Sequence, residues 1–259
     1  MNDNNQTSET YFIGGAIQSP FDERDYIAET IYPAKEKLNL PLTLDLRPKL
    51  QPVQDQGKQG TCVAESTVCM KEYQEKLDVD LKKKLSPQFI YNIRSNYPND
   101  GMHCRNAMDI ITKYGCCIEE LYPYGKIETK DKIPKKAFDN ALNYKIQSYA
   151  QVNTIDGVKT ALYKNGVCII AFPCYNYSKT FWKQKKDQKL LGGHCVSIVG
   201  YTKTGFIIRN SWGKSWGDKG YTNYPYDQFG SHWEIWTSID ENSEKIDLGE
   251  DKKKCCNII

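Results

Sequence analysis

The hydrophobic pattern changes period partway along this chain, and that change restricts the fold more than any other feature. Cys62, Ser66, Cys69, Tyr73 and Leu77 recur at spacings of four, three, four and four, the period of one helix face. Ser86-Pro87 reads as a helix start, an N-cap followed by proline in the first turn. Residues 104–114 predict another helix, with Ala107, Met108, Ile110, Ile111 and Tyr114 on one side and Gly115 as its stop. One more helix is expected over residues 154–164, closed by Gly166. The runs that follow are short and bounded by glycine, proline or polar turns, as strands are: 167–172, 195–201, 206–209, 221–224 and 233–237. Helices followed by strands predict an α+β protein with two lobes. The expected divisions are an N-terminal segment 1–40, a helical lobe 41–150, a β-rich lobe 151–240 and a charged tail 241–259.

Composition narrows the function. The 259 residues carry 35 basic and 32 acidic groups, a formal charge of +3, and only five of the basic residues are arginine. Phosphate readers favour bidentate arginine and a clustered basic face, so no nucleic-acid partner is expected. No apolar run reaches the 18 residues that a transmembrane helix needs. Ten cysteines would suggest disulfides in a secreted chain, but residues 1–10 are polar and do not resemble a signal peptide. Reduced thiols in a cytoplasmic or other reducing compartment are expected. No CxxC pair occurs, and Cys116-Cys117 and Cys255-Cys256 are vicinal, a poor arrangement for one metal. Neither metal nor cofactor is expected.

The chemistry is concentrated in one thiol and one imidazole. Residues 56–62 form a glycine-rich loop, Gln-Gly-Lys-Gln-Gly-Thr-Cys, that delivers Cys62 onto the first turn of the predicted helix. A helix N-terminus favours negative charge, and so favours thiolate over thiol. His194 opens an apolar strand in Gly192-Gly193-His194-Cys195-Val196. Taken alone, each residue reads as structural; a neighbouring imidazole that takes the thiol's proton would make the pair a nucleophile.

Four blocks in order carry a resemblance to the papain-like (cathepsin-family) cysteine peptidases. They are residues 52–62; Lys113-Tyr114-Gly115 with Tyr122-Pro123-Tyr124; residues 193–201; and residues 210–221, the most specific, beginning Asn210-Ser211-Trp212-Gly213. His194 and Asn210 lie 132 and 148 residues after Cys62, within the family's spacing of about 130–150. The resemblance spans residues 42–240. It implies a two-lobe papain-like fold with the cleft between the lobes. It also implies peptide-bond hydrolysis through a thioester acyl-enzyme, on a polypeptide substrate, by a monomer. By the same resemblance Cys62 is the nucleophile, His194 its base, Asn210 the residue that orients the imidazole, and Trp212 a shield over that hydrogen bond. Gln56 and the Cys62 backbone N–H form the oxyanion site, and Gly101, Gly193 and Trp212 are substrate-binding. A transamidase or exopeptidase using the same thiol, or a non-catalytic protein on this fold, are the alternatives. Three positions depart from the pattern: Gln59 replaces a cysteine of a structural disulfide, Val63 replaces a tryptophan, and Glu65 is an unusual charge on the helix wall.

Two ends lie outside that frame. Residues 1–40 are far shorter than the family's helical pro-region, and their Tyr11, Phe12, Phe21, Tyr26 and Tyr32 must bury something. They read either as a short blocking segment of a zymogen or as a strap packed on the surface. Lys252-Lys253-Lys254-Cys255-Cys256-Asn257-Ile258-Ile259 approximates a C-a-a-X ending. A membrane partner is expected only if Cys256 is lipidated.

Overall fold

The computed structural model describes residues 12–31 and 38–239. The C-a-a-X-like ending and the flanking aromatics Tyr11 and Tyr32 lie outside the described residues. In chain order the elements are β1 (Ala16–Ile17), α1 (Ala28–Ile31), β2 (Leu44–Asp45), α2 (Cys62–Val79), α3 (Pro87–Ile93), β3 (Met102–His103), α4 (Cys104–Lys113) and α5 (Lys135–Ala141), then β4 (Ser148–Gln151), α6 (Ile155–Lys164), β5 (Cys168–Cys174), β6 (Gly192–Tyr201), β7 (Gly205–Arg209), β8 (Tyr221–Pro225) and β9 (Glu234–Ile239).

The helices start and stop where local chemistry allows. The Ser86 side chain accepts the Phe89 N–H at 3.1 Å and Pro87 fills the first turn of α3. Thr154 accepts the Gly157 N–H at 2.9 Å at the head of α6. α2 ends at Asp80, whose left-handed backbone (φ 51°) lets its N–H close on the Glu75 carbonyl.

The sheet is built on β6. It pairs antiparallel with β5 over seven residue pairs, with β7 on its other side, and with β2 at its far end. β9 follows β5, and β4 follows β9. Almost all of β6 is buried, because α2 packs against it. α2 therefore stands between the helical lobe, where it meets α3 and α4, and the sheet. The fold is α+β, with a helical lobe and a β-rich lobe.

Several short elements were not legible in the hydrophobic pattern. β1, β2 and β3 have two residues each, too few for a period to register, and are held by tertiary pairing alone. α5 buries only Ala137 and Ala141, a stripe too narrow to stand out. The position expected to divide the lobes, between residues 150 and 151, falls inside β4, which belongs to the sheet.

β1 has a particular place. It runs parallel to β3, pairing Ala16 with Met102, and antiparallel to β6, pairing Ala16 with Gly193. In the strand order β3-β1-β6-β5-β9-β4, β3 joins the sheet only through β1. The N-terminal segment is thus inserted between the two lobes. Beyond it the chain stays anchored: Ser19 N–H donates to Glu234 at 3.0 Å, and Arg105 pairs with Asp25. Glu29 accepts three hydrogen bonds at 2.8–2.9 Å from Asn153 and Thr154, ahead of α6.

α2 also takes two carboxyls out of water. Burial pushes Glu65 up to about 8, with Glu72 and Glu119 adding repulsion and Arg209 and Lys84 opposing it. Burial likewise raises Glu72 to about 7, against the Leu85 N–H that it accepts. Such carboxyls keep their proton in the folded state after the unfolded chain, near 4.5, has lost it. Their contribution is complete below that value and is lost as pH rises through the folded values. Burial lowers His194 and His232 from 6.5 to about 4, so their effect is confined to the acid side. Between pH 6.5 and 8 the carboxyl slope stands alone. The melting temperature is expected to fall by several degrees over that window, and Glu72→Gln to flatten the fall. A flat wild-type profile from calorimetry would contradict the raised carboxyls.

Candidate active site

Cys62 is the first residue of α2, and a web of hydrogen bonds holds the loop before it. Gln56 N–H donates to Ser211 O at 2.9 Å and Gly213 N–H to Gln54 O at 3.0 Å, so the loop is laced to residues 211–213 of the other lobe. Tyr124 hydroxyl donates to Gln56 O at 2.7 Å and lies 2.8 Å from the Thr61 hydroxyl. The thiol is fully buried, and its sulfur accepts the Cys195 N–H at 3.4 Å. Cys195 follows His194 on β6, so the sulfur is bonded to the residue next to the imidazole, while no hydrogen bond joins it to His194 Nδ1 itself.

His194 and Asn210 form a short contact, Nε2 to Oδ1 at 2.7 Å. The Ser211 backbone N–H also donates to Oδ1 at 2.7 Å, which identifies that atom as the amide oxygen. Nε2 must therefore carry the proton, leaving the lone pair on His194 Nδ1. Nδ1 is buried and has no hydrogen-bond partner. Trp212 stacks on the imidazole with centroids 4.2 Å apart and planes 18° from parallel. Phe181 meets the same imidazole edge-on at 5.3 Å, and Trp216 backs Trp212 at 5.5 Å. This aromatic wall excludes water from the Nε2–Oδ1 bond, where low dielectric strengthens it.

Gln56 is fully buried. Ser211 hydroxyl donates to its Oε1 at 2.7 Å, and its Nε2 donates to Gln59 O at 2.9 Å. One of the two amide hydrogens is thus committed within the loop, and the other is left for a ligand. Neither Ser211 nor the Gln59 carbonyl stood out in the sequence, because both act through positions set by the fold.

The N-terminal segment lies directly on this site. Gly14 N–H donates to Gly193 O at 3.1 Å, and Met102 N–H donates to Gly15 O at 3.0 Å. A β-carbon on Gly15 would stand 2.7 Å from both Cys62 Sγ and Gly60 O, so only glycine fits over the thiol. A β-carbon on Gly193 would meet Ala16 O at 2.2 Å, and one on Gly101 would meet Gly14 O at 2.7 Å. Gly101 and Gly193, read as substrate-binding, are here the walls against which residues 14–16 lie.

Burial sets the electrostatics of both groups. Burial pushes the Cys62 thiol far above its ordinary range, more than its position at a helix N-terminus lowers it. Burial draws His194 down to about 4 despite the bond to Asn210, which opposes it. The pair is neutral while the cleft is filled. Among the described residues the eight cysteines are all free thiols, and no group of side chains is arranged to hold a metal ion.

Comparison with known proteins places the arrangement. The model of the papain family cysteine proteases matches residues 40–236. An uncharacterised peptidase C1-like protein of Acanthamoeba polyphaga mimivirus is 27% identical, over 82% of this chain and 81% of its own length. Papain of Carica papaya is 29% identical over 71% of this chain, which spans 54% of papain's length. Among solved structures, xylellain, a cysteine protease from Xylella fastidiosa, superposes with a TM-score of 0.76 at 27% identity, covering 88% of this chain and 96% of that one. With the blocks at 52–62, 193–201 and 210–221 brought together and the family model spanning both lobes, the chain belongs to the papain family of cysteine proteases and is a cysteine peptidase whose chemistry is thiol-dependent hydrolysis of peptide bonds.

Proposed function

We propose that the chain is an endopeptidase that works through Cys62, His194 and Asn210 and is held latent by its own residues 14–17. The observation that carries the reading is a thiol at the head of an 18-residue helix, hydrogen-bonded to the residue that follows an imidazole whose tautomer is set by an asparagine. Once the cleft opens, water and substrate replace the apolar cover. The helix N-terminus then favours thiolate, and His194 takes the proton at Nδ1. The Cys62 sulfur attacks the scissile carbonyl carbon, and the oxyanion receives the Cys62 N–H and the uncommitted Gln56 N–H. His194 returns the proton to the leaving amine, and water then hydrolyses the thioester.

The latency follows from what fills the cleft. The hydrogen bonds at Gly193 O and Met102 N–H are made by the segment's own backbone, along the lanes the resemblance gives to substrate. A substrate needs those groups, so the segment must move before turnover. Eight free thiols suit a reducing compartment, which is where we place the chain.

Two substitutions test the roles. Asn210→Ala is expected to slow turnover less than loss of His194, because it orients the base and transfers no proton. Gln56→Ala is expected to lower kcat by about 10²-fold with little change in KM, because its donor acts on the developing charge. A change in KM alone would remove Gln56 from the oxyanion site. Running each assay with an added amine separates hydrolysis from transamidation by the products formed.

A further inference from the structure

We propose that Glu65 is a positioning residue for the triad, accepting a side-chain N–H of Asn210 across the polar cavity that both residues line. The inference rests on the triad reading above. Asn210 is 2% exposed, and its Oδ1 already serves His194 and Ser211, yet its Nδ2 is buried without a partner. The amide is therefore held at one end only. Behind it lies a small cavity with room for a water-sized guest, lined by Gln54, Glu65, Ser66, Cys69, Ser197, Arg209, Asn210 and Ser211. Glu65 supplies the only carboxyl among these residues.

The other acceptors there are occupied or weaker. Gln54 Oε1 takes the Lys84 ammonium at 3.2 Å, and the Ser211 hydroxyl is turned to Gln56. The Ser197 hydroxyl is engaged with Cys69, which leaves Ser66 as the competing acceptor. Glu65 is 7% exposed, one helical turn from Cys62 on α2, and a buried carboxyl needs a hydrogen-bond partner to offset its desolvation. A single bridging water in that cavity satisfies both groups. Because burial raises the carboxyl to about 8, it is mostly the neutral acid at pH 7, and it adds little like charge beside a Cys62 thiolate. Its carbonyl oxygen still accepts from Asn210. With both ends of the amide held, Oδ1 stays on His194 Nε2 and the lone pair stays on Nδ1. This gives a function to a charge that the helix wall of such a fold does not otherwise explain.

The experiment is a cycle of Glu65→Leu, Asn210→Ala and their combination in the full chain with the cleft opened, with Glu65→Gln and Ser66→Ala as companions. Glu65→Leu is expected to lower kcat about tenfold with KM within twofold, the low end of what orienting partners contribute. Glu65→Gln, whose amide oxygen still accepts, is expected to stay within about threefold of wild type. In the Asn210→Ala background Glu65→Leu is expected to cost nothing more, a non-additivity that general loosening of the helix would not produce. If leucine prevents folding, Glu65→Ala takes its place in the cycle. Additive losses, equal losses in the Leu and Gln variants, or a loss produced by Ser66→Ala and not by Glu65→Leu, would each overturn the proposal. An Asn210→Ala variant as active as wild type would instead overturn the triad reading on which it rests.

Discussion

Replacing Cys62 with alanine is expected to abolish peptide hydrolysis, by about 10⁴-fold or more, while leaving the protein folded. The Cys62 sulfur takes the backbone N–H groups of Cys195, at 3.4 Å, and of Val63. Losing such bonds costs about 1 kcal/mol each, too little to unfold a domain of this size. Loss of the nucleophile, by contrast, removes the covalent route entirely, because no other described thiol shares the cleft with an asparagine-oriented imidazole. Cys195 is the nearest alternative, but its sulfur lies 3.8 Å from that of Cys104. His194→Ala is expected to be nearly as severe. Turnover of Cys62→Ala within tenfold of wild type, measured on a short peptide, would move the chemistry elsewhere.

Opening the cleft is expected to raise kcat/KM by about 10²-fold. An intramolecular blocker enjoys a millimolar-scale effective concentration, so even a dissociation constant near 10 μM leaves the cleft closed about 99% of the time. Two variants approach this from different sides. A chain beginning near Leu40 lacks the blocker, but it also loses Glu29 from the head of α6 and Asp25 from Arg105. Gly15→Val keeps those anchors and changes one contact. Its β-carbon would need the space held by Cys62 Sγ and Gly60 O, so residues 14–17 must lift away. Both variants should be more active than the parent chain, and a synthetic peptide of residues 11–34 should inhibit the trimmed one. Equal activity in all three folded proteins would leave the segment a purely structural role.

How much of this could be read beforehand depended on where the information sits. The helices at α2, α3, α4 and α6 and the strands β5–β9 were legible to within a few residues, because each buries a stripe or alternates. Cys62, His194 and Asn210 stood out as candidates, since their surrounding blocks are specific, and the fold joins His194 to Asn210 and sets Cys62 against Cys195. Their protonation was not legible. The helix N-terminus favours thiolate, whereas burial reverses the preference, and part of what packs on the sulfur is Gly15, forty-seven residues earlier. β1 was invisible for the same reason: two residues make no pattern, and what holds them is the backbone of Met102 and Gly193. The partner of Glu65 was hidden as well, because a charge on a helix shows nothing of the cavity behind it.

The central claim is that a nucleophilic Cys62 lies in wait under residues 14–17, and thiol labelling resolved by site tests it most directly. An epoxide thiol reagent is applied to the full-length and Leu40-start proteins, and modification at each of the ten cysteines is followed by mass spectrometry. One-to-one labelling at Cys62 is expected in the trimmed protein, at least about tenfold slower labelling in the full chain, and none when His194 is alanine. Equal rates in the two forms would contradict the cover, and labelling spread over several cysteines would contradict the activated thiol.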